Sequence, residues 1–317
     1  MSELVSFGET MLRLSPPAGD RLETARELEL RIGGAESNVA VAAARMGADA
    51  TWISKLPDSP LGRRVLHTLH ANEVNTEIVW SVDERQGTYY IEFGERPRGT
   101  QVIYDRADAA ITTATPSELP LDVVEGASYF LVSGITPALS DQLRETTATL
   151  LERARAGGAT TVLDLNYRAK LWDHETAAST IDALLDAVDL FVLPERDAAA
   201  LWDIEGDRSA VTETIRSRWN LETVILTCGA WGAVARTATD YVEQRAFETD
   251  TADPIGTGDT FLGVTLGQRI RGAELATAME WGAAGAALKR TIQGDIAVIT
   301  PGEIERVIDA SASGVDR

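Results

Sequence analysis

Short apolar runs alternate with stretches of helical periodicity along most of the chain. Leu4 to Phe7 is an apolar run that meets Gly8 and Glu9, which predicts a buried central strand ending in a turn. From Glu27 to Ile32 charged and apolar residues alternate, the pattern of a strand wet on one face, and Gly33-Gly34 break it. Small and apolar residues from Ala35 to Met46 predict a tightly packed helix, followed by a strand over Thr51 to Leu56. That is a βαβ rhythm.

The pattern changes between Thr76 and Thr112, where short β-rich runs are separated by glycine, proline and charged turns, and predicts a small β insertion. Alternation then resumes. Strands are expected over 127–134, 160–166 and 189–194, with helices over 140–156 and 175–187 between them and two short helices after. A strand over 222–229, a hairpin over 232–247 and two long Gly/Ala-rich helices from about Gly256 to Arg290 complete the reading. The fold class is α/β, a mostly parallel central sheet flanked by helices. At 317 residues, one large α/β unit with a smaller appendage accommodates the chain.

With 44% hydrophobic residues, no apolar run approaches the ~20 residues of a membrane span, and the first residues lack the pattern of a secretory signal. A cytoplasmic location is the expectation. Cys228 is the single cysteine, which excludes an internal disulfide or a multi-cysteine metal cluster. A net charge of −20 argues against general affinity for nucleic acid or anionic membranes, so any basic site is local. Of the 29 cationic side chains only Lys55, Lys170 and Lys289 are lysine. Acidic excess with scarce lysine points to adaptation to high salt, where screening shortens to ~3 Å near 1 M; an acidic, GC-rich proteome is the alternative reading.

The densest chemical signal is Asp253-Pro254-Ile255-Gly256-Thr257-Gly258-Asp259, a proline turn and two glycines ahead of a helix. Unpaired amides at such a helix start, with its dipole, suit a phosphoryl group. Asp259, ionised at neutral pH, can accept a proton from an attacking hydroxyl. An ordinary capped helix start, with the acid offsetting the dipole, is the other reading of these residues alone.

The stretch resembles the C-terminal signature of the ribokinase-like, or PfkB, carbohydrate kinase family, Asp-Thr-x-Gly-Ala-Gly-Asp, with Pro254 and Thr257 as the departures. The family's N-terminal signature is matched by Gly33-Gly34-Ala35-Glu36-Ser37-Asn38, then Ala40 and Gly47, with Pro57 in place of a usual glycine. The resemblance implies a single kinase domain over 1–317 with a β-sheet lid formed by about 11–32 and 76–112. It implies Asp259 as catalytic base and Gly256, Thr257 and Gly258 as an anion hole, with ATP and Mg²⁺ as cofactors. Thr227, Gly229 and Gly232 look like the family's nucleotide segment, and Gly285 and Lys289 are adenine-side neighbours by position. Where many members carry Asn-x-x-Glu, this chain has Glu195-Arg196-Asp197-Ala198; Glu195 or Asp197 is left as a water-mediated magnesium ligand.

The lid strands carry Tyr89, Tyr90, Tyr104 and Arg106, and a core strand ends in Asp164-Leu165-Asn166-Tyr167-Arg168. Two arginines converging on one pocket suit a carboxylate. Only one of Tyr89 and Tyr90 can face the pocket, because neighbours on a strand point oppositely. Together the segments resemble 2-keto-3-deoxygluconate kinases, apart from Asp105, Asp108 and Ala109. That implies Gly34, Asn38, Tyr89, Tyr104, Arg106 and Arg168 toward the sugar acid, Asn166 toward the nucleotide phosphates, and homo-oligomers formed through the lid. A fructokinase or ribokinase is the near alternative, and a sugar-binding protein without catalysis a further one. The chain does not open on a strand-linked Gly-x-Gly-x-x-Gly, which disfavours a dinucleotide-dependent oxidoreductase.

Thermal melting between low and molar salt tests the halophilic reading. The midpoint is expected to rise with salt as carboxylate repulsion is screened, and a midpoint that does not move rejects it.

Overall fold

Leu4–Phe7 (β1) is buried along its whole length, as befits a strand covered on both faces. The computed structural model describes residues 2–94 and 97–312. Met1, residues 95–96 within the span read as the lid, and residues 313–317 lie outside the described residues. The strands that follow are β2 (Met11–Ser15), β3 (Glu29–Gly33), β4 (Ala50–Pro57), β5 (Asn75–Ser81), β6 (Thr88–Glu92), β7 (Gln101–Asp105), β8 (Tyr129–Ser133), β9 (Thr160–Asp164), β10 (Leu190–Pro194), β11 (Thr223–Thr227), β12 (Gly232–Arg236) and β13 (Tyr241–Arg245). The helices are α1 (Ala35–Arg45), α2 (Pro60–His70), α3 (Leu121–Glu125), α4 (Ile135–Ala138), α5 (Asp141–Gly157), α6 (His174–Leu185), α7 (Glu195–Trp202), α8 (Arg208–Arg218), α9 (Thr257–Ile270), α10 (Leu275–Arg290) and α11 (Pro301–Ala312).

A nine-stranded sheet runs in the order β13-β12-β11-β10-β9-β8-β1-β4-β5. Pairs from β11 across to β5 are parallel, and β12 and β13 close one edge as the expected antiparallel hairpin. Helices cover both faces. One core holds Phe130, Leu150, Ile181, Phe191 and Ile215, and the other holds Val39, Trp52, Leu131, Leu266 and Met279. Each fully buried Leu or Phe contributes roughly 1.5–3 kcal/mol relative to exposure. β1 and β8 to β11 all end on one edge of this sheet, where ligands of open α/β folds bind.

A second sheet, β3-β2-β6-β7, sits beyond that edge. Its strands come from both spans read as the lid, with one correction. The run containing Ile78, Val79 and Trp80 falls in the span expected for the insertion, yet β5 pairs in register with β4 at the edge of the main sheet. An edge strand is half exposed, so its short β-rich run looks like that of the small sheet. Four helices were not anticipated, the short α3 and α4 together with α2 and α11. α2 carried a readable signal: Ser59 caps Gly62 N at 3.3 Å and Pro60 opens the first turn. α11 packs Ile304 into the interior beside Ile299.

α1 and α9 lie in close contact. An added Cβ on Gly263 would stand 2.4 Å from the Val39 carbonyl and 2.6 Å from Ala42 Cβ. Glycine therefore sets the separation of the two helices that carry Asn38 and Asp259. Gly263→Val is expected to destabilise the fold by about 3 kcal/mol through overpacking, read as an earlier urea midpoint. An unchanged midpoint would contradict this account of the contact.

Candidate active site

The turn before α9 is built around a residue that has to be glycine. Gly256 has φ +78°, and a Cβ there would stand 2.1 Å from the Asp295 carbonyl oxygen. Thr257 Oγ1 donates to the Pro254 carbonyl and Thr260 Oγ1 to the Gly256 carbonyl, each at 2.7 Å. The Thr260 amide donates to the Gly256 carbonyl at 2.9 Å. The amides of Gly258 and Asp259 precede that bond and belong to the helix's unpaired first turn. An added Cβ on Gly258 would meet nothing within 4 Å, so this turn is open.

Asp259 stands one position further along α9, surrounded by protein yet still partly open to the cleft. Its Oδ2 accepts a hydrogen bond from Asn38 Nδ2 at 2.7 Å. Burial pushes its pKa up to about 6; the Asn38 bond and the Arg168 charge pull it down, while Asp295 and Glu36 add to the rise. Asp164, at the end of β9, is raised to about 7 by burial first and by the Asp259 charge second. Asn166 donates to Asp164 Oδ2 at 3.3 Å from a left-handed backbone (φ +39°) that asparagine tolerates better than most residues. Glu36 is fully enclosed, and its Oε1 accepts from Ser133 N, Ser133 Oγ and Thr136 Oγ1 at 3.0, 2.7 and 2.7 Å.

These groups open into a cavity of about 480 Å³ between the two sheets. Its wall includes Gly34, Asn38, Tyr89, Tyr104, Arg106, Asn166, Arg168, Thr227, Gly256, Thr257, Gly258 and Asp259, which brings together twelve residues singled out in the sequence. Tyr89 faces this space and its neighbour Tyr90 does not. Tyr89 and Tyr104 are directly paired across β6 and β7, with ring centroids 6.1 Å apart. Arg106 is ion-paired with Glu9 and lies 5.5 Å from the Tyr104 ring centre. Lys170 Nζ donates to the Val102 carbonyl at 2.7 Å, tying the loop after β9 to the small sheet.

An adjoining cavity of about 230 Å³ shares Thr227, Thr257 and Gly258 and is lined further by Gly229, Gly232, Ala233, Phe247, Phe261, Ala283, Ala286, Ala287 and Arg290. α10 therefore borders it, but not through the two residues read from the sequence. Gly285 packs toward Val264 and Ile299 in the interior. Lys289 is 0% exposed, with Nζ donating to the Ile292 carbonyl at 3.1 Å. Positions 283, 286, 287 and 290 share one helical face and 285 and 289 lie off it, so a 3.6-residue period would have found the correct face.

Neither acidic candidate for a metal reaches the large cavity. Glu195 is engaged by Arg208 through Nε at 3.0 Å and Nη2 at 3.2 Å, and Asp197 is buried beside Arg196 at 3.4 Å. Arg196 itself borders the cavity, as do Glu9, Asp164 and Asp295, none of them assigned a role from the sequence. Among the described residues, His, Cys, Asp and Glu form no group of three suited to a metal ion. No helix among them is long and apolar enough to cross a membrane.

The pfkB family carbohydrate kinase profile matches residues 1–301. The chain belongs to that family. It is 54% identical over 316 residues to the 2-dehydro-3-deoxygalactonokinase of Haloferax volcanii, covering 100% of this chain and 99% of the relative. The 2-dehydro-3-deoxygluconokinase of Bacillus subtilis is 28% identical over 297 residues, or 93% of this chain and 91% of that one. The crystal structure of the Thermotoga maritima 2-dehydro-3-deoxygluconokinase superposes with a TM-score of 0.91 at 33% identity, covering 98% of this chain and all of the other. This carbohydrate kinase thus has the ribokinase-like architecture expected from its motifs, and a relative that comes from a halophile.

Carboxyl ¹³C NMR should find Asp259 titrating near pH 6. The Asn38 amide stabilises the ionised form, so Asn38→Leu is expected to raise that midpoint by about half to one unit. A midpoint that stays or falls would remove Asn38 from the electrostatics of the site.

Proposed function

We propose that this kinase transfers the γ-phosphoryl group of ATP to the terminal hydroxyl of a 2-keto-3-deoxy sugar acid. 2-Dehydro-3-deoxygalactonate is the first candidate, and its C4 epimer, 2-dehydro-3-deoxygluconate, the second. The observation that carries the reading is a single cavity in which Arg106 and Arg168, with Arg196 at its border, are brought together with Asp259 and the open turn of α9. Arginine matches a carboxylate bidentately, and a neutral sugar would not require two. The 54% identity to the Haloferax volcanii enzyme is the support for putting the galactonate epimer first.

In this reading Arg106 and Arg168 hold the substrate carboxylate while Tyr89 and Tyr104 wall the sugar. Asp259 accepts the proton of the terminal hydroxyl as the new O–P bond forms and the bond from the γ-phosphorus to the ADP oxygen breaks. The first-turn amides of Gly258 and Asp259 in α9 stabilise charge on the transferred group. The apolar wall of Ala233, Phe247, Phe261 and Ala283 fits a flat base, with Gly229 and Gly232 leaving room for the nucleotide. Magnesium carried by the nucleotide phosphates would neutralise their charge, with Asp164 and Asn166 the cleft residues placed to answer it through water.

The Arg106–Glu9 ion pair is the observation that favours a second reading, a fructokinase-type enzyme, because it already answers one guanidinium. Initial rates with both keto-deoxy acids, fructose and ribose separate the two. A sugar-acid kinase should lose about 100-fold in kcat/KM for the acids in Arg106→Ala with little change on fructose, and Asp259→Asn should lower kcat by roughly 10²–10⁴. Higher efficiency on fructose, unaffected by Arg106→Ala, would reject the sugar-acid assignment.

A further inference from the structure

Arg13, in β2, does not border the substrate cavity and is 1% exposed, one of the largest fully buried side chains in the molecule. Nη1 donates to Asp295 Oδ1 at 2.5 Å and Nη2 to Asp253 Oδ2 at 2.7 Å. The other Asp295 oxygen, Oδ2, accepts from the Tyr89 hydroxyl at 2.6 Å. Asp253 accepts the Ile255 amide at 3.0 Å and the Gly294 amide at 2.9 Å. One guanidinium thereby joins a lid strand, the turn that opens α9 and the loop after α10. Within the lid, Arg13 and Tyr89 are register partners on β2 and β6.

The Asp295 main chain completes the circuit, because its carbonyl lies 2.1 Å from where a Cβ on Gly256 would stand. The same aspartate thus holds the lid tyrosine through its side chain and backs the α9 turn through its backbone. Ile255, in that turn, also packs against Met11, Tyr89 and Ile91 of the lid. Burying a guanidinium carries a desolvation cost that an apolar side chain of similar size would avoid. Its retention is accounted for by what it connects.

We propose that Arg13 is a positioning residue that couples the seating of the lid to the shape of the phosphate-binding turn at Gly256, acting through Asp295 and Asp253. The role rests on the kinase reading of the cleft. It also has an electrostatic side. Asp259 is faced by Asn38 and Glu36 from α1, by Asp164 and Arg168 from the end of β9, and by Asp295 and Lys289 from the C-terminal side. Without Arg13, Asp253 and Asp295 would have the buried Lys289 ammonium as their nearby cation. As long as the Tyr89 hydroxyl and Lys289 keep Asp295 ionised, its less compensated charge makes Asp259 harder to ionise.

Arg13→Lys and Arg13→Met in the full chain, compared with the unmodified protein, test the coupling by two independent measurements. In amide hydrogen exchange, residues 253–259 and strand β6 should both exchange about tenfold faster in each variant while α5 is unchanged. Acceleration in one segment alone, or in neither, overturns the coupling whatever the substrate proves to be. In steady-state kinetics on the preferred sugar acid, Arg13→Met should lower kcat by about 30-fold with the KM for ATP within about threefold. The acid limb of its kcat profile should move up by about half a pH unit, and that of Arg13→Lys, which keeps the charge, should stay. A loss confined to KM, with the acid limb unmoved, overturns the positioning role. If the unmodified chain phosphorylates no sugar acid, the functional reading fails and the exchange result still decides the coupling. If Arg13→Met does not fold, the exchange pattern of Arg13→Lys decides it alone.

Discussion

Carboxylates crowd the edge of the sheet at which an anionic ligand would enter. Glu9, Glu36, Asp164, Asp253, Asp259 and Asp295 converge there from strand ends, from helices and from the last loop. Removing a carboxylate from water is costly unless something answers it, and the surrounding architecture supplies the answers in different ways. Glu36 is held by two hydroxyls and an amide, Glu9 by Arg106, and Asp253 and Asp295 by Arg13. Asp259 receives a single side-chain amide and remains open to the cleft. That incomplete compensation leaves its pKa raised to about 6, which suits the proton-accepting role proposed for it.

The larger fold serves this arrangement. Parallel strands deliver Glu9, Asp164 and Thr227 to one edge, and the glycine contact between α1 and α9 brings Asn38 within bonding distance of Asp259. The small sheet supplies the opposite wall, with Tyr89 and Tyr104 as register partners on the face turned inward. The two sheets meet through buried polar bonds as well as apolar packing, so their relative placement is specified more narrowly than hydrophobic contact alone would achieve.

Much of this was legible in the residues. The βαβ rhythm predicted the sheet, because strands buried on both faces read as continuous apolar runs, and the two glycine signatures located both halves of the α1–α9 pair. Local pattern failed where position in the sheet mattered. β5, half exposed at an edge, was indistinguishable from a strand of the small sheet. Gly285 and Lys289 were placed by distance along the chain without regard to helical face. The Arg13 network could not be read at all, since its members are separated by 240 and 282 residues and an arginine in a strand gives no sign of whom it will meet. Glu195 and Asp197 illustrate the converse, with acidic residues in a suggestive spacing spent on arginine partners of their own.

The three lysines form a set of a different kind. Lys55 is buried and bonded to Glu118 at 3.0 Å, Lys289 is enclosed beneath the α9 turn, and Lys170 reaches a main-chain carbonyl of the small sheet. Arginine supplies most of the surface cations, and each ammonium has a partner, those of Lys55 and Lys170 on a different element. Amine-selective chemistry, which on most proteins samples the surface broadly, would here meet Lys170 as its one exposed lysine side chain. Besides any terminal amine, the chain thereby carries one lysine reporter at the junction between its two sheets.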